Sequence, residues 1–244
     1  MMNILIFFVS VLFFLASVIA IYKLFGKTGI FAYICFATIL SNIQVCKSIT
    51  LFGLTTTAGP VLYAATFLCT DILSEKYGKK VAAKAVWLGV FVNILWLFGT
   101  QITLWFVPAE TDYIQSSLAV VFGMVPRIST ASLVSYVISQ RLDVTLYHWI
   151  WKKSGDTPKG LWLRNNGSTL VSQLADSVIF VSIAFLGTMP MEVFFQIMFT
   201  NYLFKALVAL CDTPFIYLAR RLKPMELGEA NRTGTGPKDE RSFI

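Results

Sequence analysis

Seven long apolar runs follow one another along this 244-residue chain, separated by short polar connections. They cover residues 3–22, 30–46, 61–74, 82–107, 117–139, 168–186 and 193–218. A helix needs roughly 20 mostly apolar residues to cross a bilayer. Only 14% of the residues are charged, against about 25% in a soluble domain. The chain therefore lacks the polar surface of a water-soluble protein, and the pattern predicts an all-α polytopic membrane protein.

Lys and Arg collect in every second connection of the predicted bundle. The basic connections are 23–27, 76–84, 141–164 and the segment from residue 220, whereas 47–60, 108–112 and 189–192 are poor in Lys and Arg. Because cytoplasmic loops retain basic residues, seven crossings place the N-terminus outside and the C-terminus in the cytoplasm. The net charge of +7 then reflects membrane orientation and does not indicate nucleic-acid binding.

The first and last segments of the chain are interpreted separately from the bundle. Residues 3–22 resemble a signal peptide in length, but no basic segment precedes them, so an uncleaved helix is favoured. Residues 224–244 are polar and mixed in charge, which predicts a flexible cytoplasmic tail.

Several local features add expectations about the connections. Glycines and threonines make 47–59 a turn-rich connection, and the basic and aromatic segment 141–164 is predicted as a cytoplasmic loop that contains His148. Pro126 is expected to interrupt the fifth run. Glu75 precedes two lysines at the end of the third run, which favours a solvated ion pair.

Four ionisable residues fall within the predicted hydrocarbon region: Asp71, Arg127, Asp176 and Lys205. Charges at that depth pair with one another or face a wet cavity, and they mark functional sites by default. Asp176 and Lys205 lie near the centres of successive antiparallel helices, so they form either a structural ion pair or a binding site at the midplane. Gln173, one turn from Asp176 on the same face, favours a site. Arg127 either extends to the outer interface or faces a cavity.

Amide side chains lie at similar depths, at Asn42, Gln44, Asn93, Gln173 and Asn201. The sequence contains no Walker A motif, no GxSxG and no HExxH. None of the four cysteines forms a CxxC or a Cys/His cluster. We therefore expect no ATP hydrolysis by this chain, no cofactor or metal, and no enzyme activity.

Five ordered motifs carry a resemblance to a known family. They are TDILSEKYGKKVA at 70–82, RISTAS at 127–132, ISQRLDV at 138–144, LWLRNNGSTL at 161–170 and QLADSVIF at 173–180, and YLFK at 202–205 continues the set. Together they resemble the queuosine precursor transporter family. The resemblance implies an inner-membrane importer of 7-deazaguanine bases (7-cyano-7-deazaguanine, 7-aminomethyl-7-deazaguanine or queuine) that serve tRNA queuosine synthesis.

The same resemblance implies a six-helix transporter core, similar in outline to the substrate-binding components of energy-coupling-factor vitamin transporters. That core corresponds to residues 28–223, and 1–27 form an additional N-terminal transmembrane helix. The residues expected to bind substrate or to couple transport are Asp71, Arg127, Asn166, Gln173, Asp176, Tyr202 and Lys205. Asn201 stands where some relatives carry an acid, so coupling or substrate preference is expected to differ there.

The chemistry of such a base agrees with this implied set. A guanine-like edge presents adjacent N–H donors, which Asp71 or Asp176 can accept as a bidentate pair. Phe67, Phe180, Tyr202 and Arg127 are the candidates for stacking on the ring.

Other readings of the sequence remain open. One is a binding component that needs a separate ATPase module for uptake. Another is an intramembrane enzyme in which Asp71 and Asp176 act as acid and base. The partners expected are the small base and the lipid bilayer, with no direct contact to nucleic acid. A homo-oligomer or an energising partner stays open.

Overall fold

A computed structural model describes residues 2–187 and 190–224. The helices in this part of the chain are α1 Met2–Gln44, α2 Pro60–Tyr77, α3 Lys79–Trp105, α4 Gln115–Gly123, α5 Val125–Ser154, α6 Pro158–Phe185 and α7 Met191–Arg221. Two short strands, β1 Ser48–Leu51 and β2 Leu54–Thr57, lie between α1 and α2. The predicted tail lies, from residue 225 onward, outside the described residues.

Five helical stretches of the described chain are long and apolar enough to cross a membrane: Met2–Gln44, Lys79–Trp105, Gln115–Ser154, Lys159–Phe185 and Met191–Arg221. Large apolar side chains such as Phe13, Phe98 and Phe199 are exposed on them, as lipid-facing positions require. The fold is thus that of an all-α multi-pass membrane protein, while the count of six helices plus one stays a prediction.

The first helix, α1, turns back on itself at Gly26, whose φ of 57° and ψ of −142° interrupt the helical backbone. Tyr33 Oη donates to the carbonyl oxygen of Phe14 at 3.0 Å, although 19 residues separate them. In a continuous helix they would lie about 28 Å apart. The two halves of α1 therefore run antiparallel, and they correspond to the predicted runs 3–22 and 30–46.

The connection at 47–59 contains a β-hairpin, which the prediction of a turn-rich segment did not include. Strands β1 and β2 pair antiparallel. Phe52 and Gly53 at the turn both have positive φ, 52° and 78°, which is typical of a tight two-residue hairpin turn. The ring of Phe52 stacks on Phe204 of α7 with the centroids 6.4 Å apart, so the hairpin is fastened to the helix bundle.

Helix α2 lies inside the bundle, in contact with α1, α3, α5 and α7. Its residues from Leu62 to Ser74 are nearly all buried. Because protein rather than lipid surrounds this helix, its polar side chains can find partners at membrane depth. This position explains why a short and partly polar run remains helical inside an apolar bundle.

The prediction of a loop at 141–164 was wrong, since this segment is almost entirely helical. Helix α5 continues to Ser154 and α6 begins at Pro158. Thr157 caps α6 by accepting a hydrogen bond from the Gly160 N–H at 2.9 Å. The polar residues of the segment are accommodated because several of them face other helices and have partners there. The local composition indicated polarity but not where the side chains point.

The predicted interruption at Pro126 is confirmed. Helix α4 ends at Gly123 and α5 begins at Val125. Pro126 thus lies in the first turn of α5, where a backbone N–H has no helical partner in any case.

Candidate functional site

A cavity opens among the helices next to the end of the bundle that carries the β-hairpin. It holds about 510 Å³ of empty space, part of which is open to the surroundings. Its lining combines an ion pair, three amides and three aromatic rings: Asp176, Lys205, Asn42, Asn93, Asn201, Tyr63, Tyr136 and Phe180. Such a lining suits a small planar molecule with polar edges.

Asp176 is the centre of the polar contacts at this cavity, although only 1% of the residue is exposed. Its Oδ1 accepts hydrogen bonds from Tyr63 Oη at 2.8 Å and from Ser139 Oγ at 3.1 Å. Its Oδ2 pairs with the ammonium group of Lys205 on α7. Of the two alternatives that the sequence left open for Asp176 and Lys205, the structure shows the ion pair, and it places both residues at the cavity wall.

Lys205 also lies against two aromatic rings of the cavity. Its Nζ is 4.8 Å from the ring centroid of Tyr63 and 5.8 Å from that of Phe180. An ammonium group over a ring face is attracted by the ring quadrupole. The rings and Asp176 together hold the lysine side chain at the cavity wall.

Three polar atoms at the cavity lack a hydrogen-bond partner among the described residues: Asn42 Oδ1, Asn201 Nδ2 and Tyr136 Oη. They provide an acceptor, a donor and a group that can act as either. Buried polar groups are normally satisfied, so these atoms are available to a bound molecule. The Tyr136 hydroxyl group lies directly against Gly89 of α3. A Cβ atom at Gly89 would be only 2.5 Å from the Tyr136 hydroxyl oxygen.

A second group of polar residues lies deeper in the bundle. Asp71 of α2, Asp143 of α5 and Asp212 of α7 are each at most 1% exposed, and we call them the carboxylate cluster. Thr169 Oγ1 lies 3.3 Å from both Asp71 Oδ2 and Asp143 Oδ1, so α6 bridges the first two. None of the three aspartates lines the cavity.

At the opposite end of the bundle from the hairpin, Glu75 is held in what we call the Glu75 network. Arg164 donates to both carboxylate oxygens, with Nη2 2.7 Å from Oε1 and Nε 3.0 Å from Oε2. Tyr147 Oη donates to Oε2 at 2.8 Å, and Arg220 Nε lies 3.3 Å from Oε1. The Glu75 side chain is 4% exposed, so the predicted solvated pair with the following lysines was wrong.

One face of α6 connects these three regions. Asn165, Thr169, Ser172 and Asp176 recur at intervals of four, three and four residues, which places them along one side of a helix. Asn165 contacts Asp212. Both Thr169 and Ser172 contact Asp143, and Asp176 lies at the cavity wall. A continuous polar face therefore runs from the cavity toward the Glu75 network.

The residues predicted as the site are divided among these regions. Asp176 and Lys205 meet at the cavity. Asp71 lies in the carboxylate cluster. Asn166 joins α6 to α7, since its Nδ2 donates to Thr213 Oγ1 at 2.9 Å.

Gln173, Arg127 and Tyr202 do not line the cavity. Gln173 is fully buried, and neither of its amide atoms has a partner in the described part of the chain. Arg127 is exposed and donates to the carbonyl oxygens of Ile183 at 3.2 Å and Leu186 at 3.0 Å. Tyr202 is half-buried on α7.

Several residues of these regions were not among the predicted site residues. Tyr63 and Tyr136 line the cavity, and Asp143 and Asp212 complete the carboxylate cluster. A signal for Asp143 was present, because Ser139, Asp143 and Tyr147 recur every four residues, as expected for one face of a helix. Treating 141–164 as a loop hid that signal.

The chain is a multi-pass membrane protein that has a cavity with a polar and aromatic lining inside a helix bundle and a buried charged network at one end.

The chain belongs to the family described as "Putative vitamin uptake transporter", whose sequence profile matches residues 57–219. That family consists of transporters and not of enzymes. The resemblance found in the five motifs is confirmed.

Named relatives narrow the similarity further. The "Probable queuosine precursor transporter" of Bacillus subtilis (strain 168) is 45% identical over 207 residues, 85% of this chain and 90% of the relative. The "Queuosine precursor transporter" of Escherichia coli (strain K12) is 26% identical over 173 residues, 70% of this chain and 75% of that protein. No solved structure matches the chain.

Proposed function

We propose that the protein imports queuosine precursors, 7-deazaguanine bases such as 7-cyano-7-deazaguanine, 7-aminomethyl-7-deazaguanine or queuine, for the modification of tRNA. The observation that carries this proposal is the position of Asp176, a carboxylate at the wall of a cavity that also holds aromatic rings and amides. The names of the relatives from B. subtilis and E. coli support the same cargo.

The recognition step follows from hydrogen-bond chemistry at Asp176. A 7-deazaguanine base presents adjacent N–H donors on one edge, and a carboxylate accepts such a pair well. Tyr63, Ser139 and Lys205 already contact the oxygens of the Asp176 carboxylate. The base takes over part of these contacts, and the released Tyr63 hydroxyl or Lys205 ammonium group then donates to the carbonyl oxygen of the base.

The remaining polar atoms and rings of the cavity complement the rest of the base. Asn201 Nδ2 and Asn42 Oδ1 supply one free donor and one free acceptor. Tyr63, Tyr136 and Phe180 offer apolar ring surfaces for a planar molecule. The polar edges of the base then meet hydrogen-bonding atoms, and its flat faces meet aromatic rings. We therefore assign the selectivity for the base to this cavity.

Transport follows from the difference between the two ends of the bundle. The cavity opens near the hairpin, whereas the buried ion pairs of the Glu75 network close the other end. We assign the hairpin end to the outside of the inner membrane and the Glu75 end to the cytoplasm, with a cytoplasmic C-terminus, because the basic connections lie at the Glu75 end. Alternate opening of the two ends around the cavity moves the base inward.

We also propose that residues 28–223 form the transporter core and that 1–27 are an additional N-terminal helix. That helix has contacts which support the hairpin. Asn3 Nδ2 donates to the carbonyl oxygen of Thr50 at 3.1 Å, and the rings of Phe7 and Phe204 lie 5.6 Å apart. The additional helix thus steadies the hairpin beside the mouth of the cavity.

The other predicted site residues receive different roles in this proposal. Asn166 fastens α6 to α7 through Thr213, and Arg127 holds the end of α6. Gln173 and Tyr202 do not line the cavity, so the proposal assigns them no contact with the base there.

The test is uptake in cells that cannot synthesise queuosine precursors. The gene is supplied, single deazaguanine bases are added at low concentration, and queuosine is measured in tRNA. Asp176→Asn is expected to lower initial uptake roughly 10- to 100-fold, because a hydrogen bond to a charged group contributes about 1.5–3 kcal/mol. The matched control is Asp112→Asn, a carboxylate in an exposed connection whose Oδ1 accepts from the Ile114 N–H, and its uptake is expected to stay unchanged.

Restored queuosine with one base supports the proposal and names the cargo. If wild-type protein is inserted in the membrane and no base restores queuosine, the proposed function is wrong for this protein acting alone. Normal uptake by Asp176→Asn would remove Asp176 from the binding site.

A further inference from the structure

The carboxylate cluster carries an inference beyond base binding, because its acceptors outnumber its donors. Thr169 has one hydroxyl proton but lies equally close to Asp71 and Asp143, at 3.3 Å from each. It can donate to only one of them at a time. The other carboxyl group must itself carry a proton to hydrogen-bond to Thr169 Oγ1.

Further acceptor atoms at the cluster have no donor within the described chain. They are Asp71 Oδ1, Asp143 Oδ2 and Asn165 Oδ1. Asn165 is fully buried and directed at the cluster, since its Nδ2 donates to Asp212 Oδ1 at 2.8 Å. An unsatisfied acceptor at such depth costs free energy, and a proton bound by a neighbouring carboxyl group would remove that cost.

The cluster also lacks a compensating positive charge. No Lys or Arg among the described residues forms an ion pair with any of its three aspartates. The titratable and charged groups of α2, α5, α6 and α7 around it are Cys69, Glu75, Tyr147, Arg164, Cys211 and Arg220. The two arginines are already bound to Glu75, and Lys205 is bound to Asp176.

A proton suits this arrangement better than a metal ion. In the part of the chain that the structure describes, no three carboxylate, histidine or cysteine side chains are grouped closely enough to hold one metal ion. A proton needs only one carboxylate oxygen and an acceptor beside it, and the bridge through Thr169 supplies both.

We propose that the carboxylate cluster of Asp71, Asp143 and Asp212, in which Thr169 bridges Asp71 and Asp143, binds a proton that is carried inward together with the base. The proposal rests on the proposed import function and names its coupling ion. A proton that arrives from the outer side of the membrane binds to one carboxylate oxygen of the cluster. It later leaves the same cluster toward the cytoplasm, so only an O–H bond forms and breaks. No other reactant is needed.

Helix α5 links the cluster to the cavity. Ser139, which donates to Asp176 at 3.1 Å, lies one helical turn before Asp143. On α6, Ser172 donates to Asp143 Oδ1 at 2.9 Å and lies one turn before Asp176. A proton on the cluster changes the repulsion between α2, α5 and α7, and these short connections transmit the change to the base site. Coupling of this kind acts equally in both directions.

The experiment uses the purified full chain in proteoliposomes, with the base that restores queuosine in cells. With one proton carried per base, an imposed gradient of one pH unit is expected to accumulate the base about tenfold inside, since both correspond to about 1.4 kcal/mol. Asp143→Asn and Thr169→Val are expected to reduce this accumulation to equilibration. The control Asp112→Asn is expected to accumulate base like the wild type.

Two results in this assay would overturn the proton site while leaving base transport intact. One is equilibration of base in wild-type vesicles regardless of the pH gradient. The other is accumulation that follows a sodium gradient instead, which would assign the cluster to a sodium ion.

A second measurement does not depend on transport. Infrared spectra of the purified protein, recorded over a range of pH, are expected to show a protonated buried carboxyl band that Asp143→Asn or Asp71→Asn removes or shifts. If no protonated carboxyl group is detected and both variants match the wild type, the proton site is wrong even if no base is transported. If the protonated carboxyl band is present while no base is taken up, the proton site is supported and the proposed cargo is wrong.

Discussion

The cavity and the carboxylate cluster place the same kind of side chain in opposite electrostatic surroundings. Asp176 has Lys205 on one oxygen and two hydroxyl donors on the other. Asp71 and Asp143 share one threonine hydroxyl and have no cation among the described residues. All three aspartates are buried to almost the same extent. The difference therefore lies in their partners and not in their exposure.

This contrast suggests a division of labour along α6. A carboxylate that has a lysine beside it is compensated in charge, and its oxygens can accept the N–H edge of a base. Carboxylates without a compensating charge are costly to keep ionised in an apolar interior, so they suit a group that gains and loses a proton. Two turns of one helix, from Thr169 to Asp176, separate the two kinds of chemistry.

The largest loss of stability is expected when the cation at the cavity, Lys205, is removed. Lys205→Met keeps most of the side-chain volume but leaves Asp176 without its counter-charge. Loss of one partner of a buried ion pair destabilises a protein by about 3–5 kcal/mol, and we expect an effect of this size. Thermal unfolding of the detergent-purified protein measures it.

A double-mutant cycle controls for effects other than the pair. Combining Lys205→Met with Asp176→Asn removes both charges, so most of the lost stability is expected to return. If the stability losses of the two single variants simply add, Asp176 and Lys205 are not energetically coupled. Lys205 then does not compensate the charge of Asp176.

A smaller change sharpens the cavity side of the comparison. A Cβ at Gly89 would lie 2.5 Å from Tyr136 Oη, so Gly89→Ala is expected to displace the tyrosine ring and weaken base binding. Overpacking of this kind costs about 1–3 kcal/mol. A raised KM for uptake, with the protein still inserted, is the expected result.

Gly99→Ala is the matched control on the same helix, because nothing lies within 4 Å of a Cβ built at Gly99. Alanine is a better helix former than glycine by about 1 kcal/mol, so this variant is expected to be as stable as the wild type or slightly more stable. Equal KM values for the two variants would mean that Tyr136 does not shape the base site.

The smallest stability effect is expected at the carboxylate cluster. Asp143→Asn removes a carboxylate that has no counter-charge and adds an N–H donor near Asp71, whose Oδ1 lacks one. We expect stability to change by less than about 1 kcal/mol, or to rise, whereas Asp176→Asn leaves Lys205 unpaired and lowers it. A large loss of stability in Asp143→Asn, measured by the same unfolding assay, would mean that the cluster is compensated after all.

Sequence reasoning reached part of the site and missed part for identifiable reasons. The sequence placed Asp176 and Lys205 near the centres of successive antiparallel helices, which allowed an ion pair or a binding site, and the structure shows the ion pair at the cavity. Asn42, Asn93 and Asn201 were recognised as amides at similar depth, and all three line the cavity. Asp143 was missed because a polar and aromatic composition looks the same in a loop as in a helix buried among other helices.

The error at Glu75 has a similar origin. Lysines follow it directly in the sequence, but its partners are Arg164 and Arg220, 89 and 145 positions away. Proximity along the chain favoured local pairing, whereas the fold brings the side chains of Arg164 on α6 and Arg220 on α7 to the Glu75 carboxylate.

The membrane class, the break at Pro126 and the family could be predicted from the amino-acid sequence, since these depend on hydropathy, on backbone chemistry and on ordered motifs. Only the tertiary structure decided which aspartates have a counter-charge. A helix places its side chains by rotation about its axis, and that rotation is set by packing against several neighbours at once. Asp176 faces Lys205 and a cavity, whereas Asp71 and Asp143 share Thr169 and Asp212 contacts Asn165.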